Sequence, residues 1–240
     1  MTRGAMPPTT NHLGQPIGFA VPDWVPAKLP PQTPMEGRWC RVEPLDVARH
    51  GAELFAAYAE DREGRVWTYM GYGPFETRAE FRDWMTASCL GDDPLFHAIV
   101  ERASGRALGM ASYLRAVPET GVIEVGHINY APALQRTVAA TEAMYLMMDR
   151  VFEELGYRRY EWKCDALNEG SRRAAMRLGF VFEGVFRQAT LYKGRNRDTA
   201  WFAITDRDWP ALKRAYEAWL DPANFDDSGA QKARLSEFKK

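Results

Sequence analysis

The 240-residue sequence is poor in the residues that bind metals and form disulfides. It contains three cysteines and four histidines, and Cys40, Cys89 and Cys164 are too far apart to form the CxxC pairs of zinc or redox sites. So few and so widely spaced thiols fit a reducing compartment better than an oxidising one. We therefore expect a cytoplasmic protein that needs no metal.

Long apolar runs and an excess of one charge are also missing. No segment approaches the roughly 20 consecutive apolar residues of a membrane-spanning helix, and the first ten residues lack the charged-then-apolar order of a signal peptide. Lys and Arg number 31 against 32 Asp and Glu, so a net charge of -1 provides no general attraction to nucleic acid. The expected class is a soluble globular protein whose partner is neither a membrane nor a nucleic acid.

Proline is abundant at one end of the chain only. Eight of the 15 prolines precede Glu36, which predicts an extended arm over residues 1–36 because proline fixes φ and removes a backbone donor. Hydrophobic residues make up 46% of the sequence, enough for a sizeable core, and we place that core in one domain over residues 37–220. Residues 221–240 are predicted to form a loose, polar C-terminal tail.

The hydrophobic pattern of the central region changes repeatedly between the periods of strands and helices. Strands are predicted over 37–44, 95–101, 107–117, 122–130, 160–164, 180–191 and 199–205. Helices are predicted over 47–59, 78–89, 140–155, 168–178 and 208–219. The three strands from 95 to 130 form an antiparallel meander, and Gly194-Arg195-Asn196 forms the turn of a closing hairpin. The fold class is therefore α/β (α+β).

A strand that ends near Tyr130 is followed by a short loop and then by a helix that begins near Ala140. Such a junction directs unpaired backbone N–H groups of the first helical turn at an approaching anion. Arg136 in the loop would add charge-assisted hydrogen bonds, and the small Ala139 permits close approach. Taken alone, the same pattern also fits an ordinary strand-to-helix connection with a surface arginine.

Three motifs add context to this loop. They are Gln135-x-x-Val138-x-Ala140-Thr141-Glu142-Ala143, Asn168-x-x-Ser171-Arg172, and Leu178-Gly179-Phe180 followed by Glu183-Gly184. On these motifs and their order, residues 124–205 resemble the GNAT superfamily of N-acetyltransferases, in particular its RimJ/RimL-like branch. The resemblance implies a mixed, mostly antiparallel sheet that is split between the strands at 122–130 and 160–164 and holds acetyl-CoA in the split.

The resemblance also implies which residues bind acetyl-CoA. They are Gln135, Arg136, Thr137, Val138, Ala139, Ala140, Thr141, Asn168, Ser171 and Arg172. Val138 departs from the family pattern, which usually has glycine there, and a β-branched residue disfavours a positive φ and crowds a phosphate. Asn168 is equally suited to cap the following helix.

Ala175 stands where many GNAT enzymes carry a tyrosine that protonates the departing thiolate. The resemblance makes Ser171 the candidate acid in its place, although a serine near a helix N-terminus often serves only the local backbone. For the base, the resemblance favours Glu124 over His127. The period of a strand puts these two side chains on opposite faces unless Gly126 marks a bulge. A solvent-facing Glu124 and a hydrogen-bonded core His127 are the structural alternatives.

Aromatic residues and glycines are concentrated between residues 66 and 75, where GNAT enzymes usually build the acceptor pocket. Trp67, Tyr69 and Tyr72 are the candidate substrate wall, with His127 beside them, although the same aromatics would also serve as core residues. The expected activity is transfer of an acetyl group to a protein N-terminus, a lysine or a small amine. The alternative is a non-catalytic acyl-CoA-binding or sensory module, and the protein is expected to be a monomer or a homodimer.

Overall fold

The computed structural model describes residues 8–227 and 229–239. Eight strands form one sheet, and two further two-residue strands form a separate ribbon. The strands are β1 (Thr9–Thr10), β2 (Pro16–Ile17), β3 (Met35–Glu36), β4 (Cys40–Pro44), β5 (Leu95–Glu101), β6 (Ala107–Val117), β7 (Val122–Tyr130), β8 (Arg159–Asp165), β9 (Val181–Tyr192) and β10 (Arg195–Thr205). This confirms the expected α/β class and strand succession.

The helices interrupt the strands in the order that the sequence predicts. They are α1 (Val47–Tyr58), α2 (Arg78–Ser88), α3 (Val138–Asp149), α4 (Glu169–Leu178), α5 (Trp209–Trp219) and α6 (Leu235–Phe238). A π-helical turn over Arg150–Glu154 continues α3, and short 3-10 turns cover Arg65–Trp67 and Pro222–Asn224. Helix α1 packs on β6, α3 on β4, and α4 on β8 and β9.

The main sheet has the strand order β3-β4-β5-β6-β7-β8-β10-β9. Every neighbouring pair in it is antiparallel except β7 and β8, which are parallel. These two strands pair only from Val122 to Val125 on β7 and from Arg159 to Trp162 on β8. Beyond those residues the two strands separate, as the sequence led us to expect.

The hairpin between β9 and β10 turns at Lys193 and Gly194. Their φ angles are +49° and +70°, as a two-residue type I′ turn requires, and glycine adopts such angles readily. The predicted hairpin is thus confirmed, but its turn lies at Lys193 and Gly194 rather than over Gly194-Arg195-Asn196. Strand β10 begins at Arg195 rather than at Thr199 because the tight turn lets pairing start at once.

The described part of the predicted N-terminal arm begins with the exposed β1–β2 ribbon, and from Phe19 onward it contacts the chain's own folded domain; residues 1–7 of the predicted arm lie outside the described residues. The Trp24 indole N–H donates to the Glu119 carbonyl at 2.9 Å, and the Lys28 amide donates to the Leu155 carbonyl at 2.9 Å. The Arg150 guanidinium donates to the Thr33 carbonyl at 2.7 Å. These contacts lie near the N-terminal ends of β7 and β8, away from the end where the two strands separate.

The prediction of a loose tail after residue 220 is wrong for the described residues, which leave out 228 and 240 of that segment. The Phe225 ring lies 5.4 Å from Trp39 and 5.3 Å from Trp219, between ring centroids. Leu235 on α6 is 1% exposed. Few apolar residues occur in this segment, so it shows no periodicity, yet these side chains fill gaps over α5.

Among the described residues, no helix is both long and apolar enough to cross a membrane. The finding agrees with the absence of long apolar runs in the sequence.

Docking of the C-terminal segment predicts a clear asymmetry between two leucine truncations. Leu235→Ala should lower the free energy of unfolding by about 2–5 kcal/mol, since it leaves a cavity under α6. Leu13, which is 69% exposed, is the matched control, and Leu13→Ala should change stability by less than about 0.5 kcal/mol. Urea denaturation measures both, and equal midpoints for the two variants would contradict the docking.

Candidate functional site

The separation of β7 from β8 opens a cleft of about 1280 Å³. A bulge in β7 causes it: Met110 pairs with Asn129 and Ser112 with Gly126, so β7 has one residue more than β6 between these pairs. His127 lies in the bulge with a φ of +50°. Because a bulge bends its strand, β7 turns away from β8 after four paired residues.

Most of the site residues predicted from the sequence line this cleft. They are Tyr69, Tyr72, Glu124, His127, Gln135, Arg136, Ala140, Thr141, Asn168 and Ser171. Thr137, Val138 and Ala139 belong to the same loop and first helical turn, although their side chains do not line the wall. Trp67 and Arg172 lie elsewhere and are treated below.

The start of α3 reaches the cleft through Arg136, Ala140 and Thr141, which line it, and several amides there are unused by the protein. Thr137 is the N-cap, and its hydroxyl oxygen accepts a hydrogen bond from the Ala140 amide at 3.1 Å. In the described ranges, no hydrogen bond of the protein uses the amides of Arg136, Val138 or Ala139. Helix starts with such unused donors attract anions.

The strain expected at Val138 is absent. Val138 is the first residue of α3, and the positive φ of this loop, +63°, belongs to Arg136 instead. The motif suggested a positive φ at position 138, but the residue with a positive φ is two positions earlier in the chain. Val138 therefore occupies a position that any helix-forming residue tolerates.

Arg177 provides a second positive charge at this end of the cleft. Its guanidinium donates two hydrogen bonds of 3.1 Å to the Thr141 hydroxyl, which connects α4 to α3. Arg177 was not among the site residues predicted from the sequence. Ser171, Ala174 and Arg177 follow one another at intervals of three residues, so they share one side of α4 and all line the cleft. This spacing is the sequence signal that could have identified Arg177.

The start of α4 brings two predicted residues into the cleft. The Asn168 side-chain oxygen accepts a hydrogen bond from the Ser171 amide at 3.0 Å, so its capping role is confirmed. The Ser171 hydroxyl oxygen accepts from the Trp162 indole N–H at 2.9 Å. Because an indole nitrogen only donates, the serine keeps its own proton available for another acceptor.

Arg172 does not line the cleft, which corrects its predicted cofactor role. Its guanidinium donates to the Ala166 carbonyl at 3.2 Å and lies 5.7 Å from the centre of the Phe182 ring. One residue along a helix turns the side chain by about 100°, so the neighbour of cleft-lining Ser171 points along β9 instead.

Glu124 is buried at 2% exposure and paired with two cations, so it is not the solvent-facing residue of the structural alternative. Arg115 contacts it in a bidentate manner, with Nε and Nη2 each donating at 2.8 Å. Lys163 donates to it at 2.8 Å from β8. Both carboxylate oxygens already accept hydrogen bonds from cations, so Glu124 is committed to this ion-pair network.

These ion pairs continue along β8. Lys163 also contacts Glu161 at 2.8 Å, and Arg159 contacts Glu161 at 2.7 Å. Burial opposes the ionisation of Glu161, but the hydrogen bonds from Lys163 and Arg159 outweigh it and lower its pKa. Since Glu124 and Glu161 are register partners on the parallel strands, the alternating charges join β7 to β8 just before they separate.

His127 shares the cleft with Glu124 because the bulge cancels the expected alternation. Its Nδ1 lies 3.1 Å from the Tyr72 hydroxyl, and the two rings stack with centroids 5.7 Å apart. Burial, followed by the positive charge of Arg115, lowers the pKa of His127 below its ordinary value. The imidazole is therefore neutral at pH 7 and able to accept a proton.

Trp67 is a core residue and not part of a substrate wall, which corrects its predicted role. It is 4% exposed, and its ring packs edge-on against Tyr58 at 4.9 Å and Phe75 at 5.4 Å. The 3-10 turn over Arg65–Trp67 directs it inward. Tyr69 and Tyr72, which follow in the same segment, do line the cleft.

Within the part of the chain that the structure describes, no group of three or more His, Cys, Asp or Glu side chains is arranged to hold a metal ion. At the start of α3 the cleft presents amide donors together with Arg136 and Arg177, and it also contains a neutral histidine and a serine hydroxyl.

Residues 41–181 match the family model of the GNAT acetyltransferase domain, more than half of the chain. The chain belongs to the GNAT acetyltransferase family. The resemblance drawn from the three sequence motifs is thereby confirmed, and the protein is an acetyltransferase.

Solved structures agree with this assignment. A GCN5-related N-acetyltransferase from Brucella melitensis is 50% identical, with a TM-score of 0.89 over 91% of this chain and 99% of the other. A GNAT-family protein of Chromobacterium violaceum is 41% identical, with a TM-score of 0.76 over 82% and 98% of the two chains. The microcin C7 self-immunity acetyltransferase MccE, solved with acetyl-CoA and AMP, shares the fold at 16% identity and a TM-score of 0.63, over 74% and 98%. No curated protein matches the sequence.

Proposed function

We propose that this GNAT acetyltransferase transfers the acetyl group of acetyl-CoA directly to a primary amine. The observation that carries the proposal is the combination found in one cleft. At one end are the unused amides of the first turn of α3, and further along are a neutral His127 and the Ser171 hydroxyl. An anion-binding helix start suits the diphosphate of coenzyme A, and a base and an acid suit aminolysis of a thioester.

Acetyl-CoA would lie along the separation between β7 and β8. Its diphosphate would receive hydrogen bonds from the amides of Arg136, Val138 and Ala139, with Arg136 and Arg177 neutralising its charge. The strand edges beyond Val125 and Trp162, which have no partner in the sheet there, would hydrogen-bond the amide-containing arm. The Asn168 amide group would do the same at the start of α4. The thioester would then lie near Ser171.

The reaction needs a neutral amine. As the amine nitrogen attacks the thioester carbonyl carbon and the carbon–sulfur bond breaks, His127 takes the proton that the nitrogen loses. The Ser171 hydroxyl gives a proton to the departing thiolate and regains one from solvent. His127 replaces Glu124 as the favoured base because it is neutral and its ring, among the residues that the structure describes, hydrogen-bonds Tyr72 alone, whereas Glu124 is committed to Arg115 and Lys163.

The decisive test measures binding and turnover separately. The pure protein is titrated with acetyl-CoA by calorimetry and then mixed with α-amino, lysine and polyamine acceptors while free thiol is followed. We expect saturable binding and acceptor-dependent release of CoA. Binding without any acceptor-dependent thiol would contradict the proposal and favour the non-catalytic module, for which the missing tyrosine at Ala175 is the supporting feature.

Replacing Ser171 tests the proton donor. Ser171→Ala should lower kcat by about tenfold to a hundredfold, since a positioned proton donor typically contributes at least this much. The Kd for acetyl-CoA should change less than about threefold, because the amides of α3 hold the diphosphate. Trp162→Phe is the control, since it removes the indole donor but leaves the hydroxyl proton. Ser171→Ala with unchanged kcat would exclude the residue from the mechanism.

Two substitutions separate the candidate bases. His127→Gln should lower kcat most for a lysine-like amine, whose pKa of about 10.4 makes deprotonation harder than for an α-amino group near 7.7–8.0. Glu124→Gln should instead reduce stability by about 1–3 kcal/mol, because Arg115 and Lys163 lose their shared partner. Steady-state kinetics and urea unfolding of both variants provide the comparison. A loss of kcat confined to Glu124→Gln would reverse the assignment.

A further inference from the structure

The wall of the cleft formed by β9 and β10 is positively charged and rich in donors. Phe186 and Arg187 lie on it from β9, and Arg197, Thr199 and Trp201 from β10. Between Thr190 and Phe186, β9 contains two residues more than β10 has between Arg197 and Thr199, and Gln188 in this bulge has a φ of +51°. The bulge lets β9 line the cleft on both sides of Gln188.

The wall is held by stacking. The Phe186 ring stacks on Trp201 with centroids 4.4 Å apart. The Lys163 ammonium also lies over the Trp201 ring, 3.8 Å from its centre. Trp201 and Lys163 are direct register partners on β10 and β8. The position of the indole is therefore fixed by groups on two neighbouring strands.

Buried donors on this wall have no acceptor in the protein. Among the described residues, Arg197 Nε and Trp201 Nε1 are both buried without a hydrogen-bond partner. A third such atom in the cleft, Asn129 Nδ2, is also a donor and lies further along β7. Buried donors are almost always satisfied in folded proteins, so unsatisfied donors on residues that line a cleft point to an acceptor that a ligand supplies.

The carboxylates next to Arg197 in the sheet accept hydrogen bonds from groups other than Arg197. The two Asp165 oxygens accept from the Tyr192 hydroxyl at 2.8 Å and from the Leu167 amide at 2.8 Å. Asp198 accepts from the Gln188 amide at 2.8 Å and from the Asn196 side chain at 2.9 Å. Glu124 is bound by Arg115 and Lys163. Within the described ranges no ion pair includes Arg197, so its charge is left for a ligand.

We infer that the amine acceptor carries a carboxylate, which Arg197 binds together with the Trp201 indole N–H, and that this contact positions the amine toward His127. A guanidinium matches a carboxylate in geometry as well as in charge. The inference rests on the proposed function and narrows its acceptor to a carboxylate-bearing amine. The carboxylate belongs either to a free amino acid or to an acidic residue beside a peptide N-terminus.

Arg197 in this role is a positioning residue, whereas Arg136 and Arg177 lie at the start of α3, where the diphosphate is expected. The two arginine groups thus serve different parts of the cleft. Substitution of Arg197 should consequently affect the acceptor and leave acetyl-CoA binding unchanged.

The test compares acceptors that differ only in the carboxylate. L-Phenylalanine is paired with L-phenylalaninamide, and the peptide amide Ser-Glu-Phe with Ser-Gln-Phe, since aromatic residues line this wall. Each pair is assayed with the wild-type protein, Arg197→Gln, Arg197→Lys and the control Arg187→Gln. Calorimetry with acetyl-CoA, and with the unreactive 3-phenylpropionate and its amide, gives binding without turnover.

We expect kcat/KM of the wild type to favour the carboxylate member of one pair by about tenfold or more. Arg197→Gln should remove that preference while the uncharged member changes less than about twofold, Arg197→Lys should restore part of it, and Arg187→Gln should retain it. Preference in the amino acid pair identifies a free amino acid, and preference in the peptide pair identifies an acidic N-terminus.

Equal kcat/KM within both pairs would overturn the inference, as would an Arg197→Gln variant that binds acetyl-CoA more weakly. If no amine is acetylated, the proposed function fails, and the binding arm then decides the inference alone. Binding of 3-phenylpropionate that is lost in Arg197→Gln would support it, and no binding to the wild type would contradict it.

Discussion

The site depends on one constraint, the separation of β7 and β8 after four paired residues. An extra residue at the His127 bulge bends β7, while the ion pairs among Glu124, Lys163 and Glu161 hold the strands together just before they separate. A continuous parallel pair would close the cleft and hide both strand edges. The bulge therefore creates the space and, in the same residue, places a neutral imidazole in it.

The charged residues of the cleft fall into two groups that have different effects. Arg115, Lys163 and Arg159 are matched by buried or half-buried carboxylates, and their contribution is to fix the two strands. Arg136 and Arg197 have no carboxylate partner among the described residues and face the cleft. Cations that are paired with a carboxylate hold the strands in place, whereas cations without a carboxylate partner attract an anionic ligand. This difference explains why a chain with a net charge near zero can still have a strongly positive site.

Local signals in the sequence were enough to predict the order of the main elements, the β9–β10 hairpin and the cap at Asn168, whereas Ser171 was proposed on the family resemblance. Each of these local signals depends on residues within a few positions of one another.

The partners of Glu124 could not be predicted in this way, since Arg115 lies across a hairpin and Lys163 on a strand that follows a long helix. The bulge at His127 is a property of backbone angles that the adjacent Gly126 indicated only approximately. Trp67 and Arg172 were misplaced because composition does not reveal which side of a turn or helix a residue occupies. Helical spacing from Ser171 identifies Arg177 as the residue that faces the cleft.

In the proposed function, the unused amides at the start of α3 bind the diphosphate of acetyl-CoA. Amide hydrogen exchange, measured by mass spectrometry on short overlapping peptides across residues 131–143, tests it most directly. The amides of Arg136, Val138 and Ala139 should exchange quickly in the free protein and become strongly protected when CoA is added, while the Ala140 amide, already bonded to Thr137, should change little. Saturating CoA that leaves this segment as exchangeable as before would contradict the account.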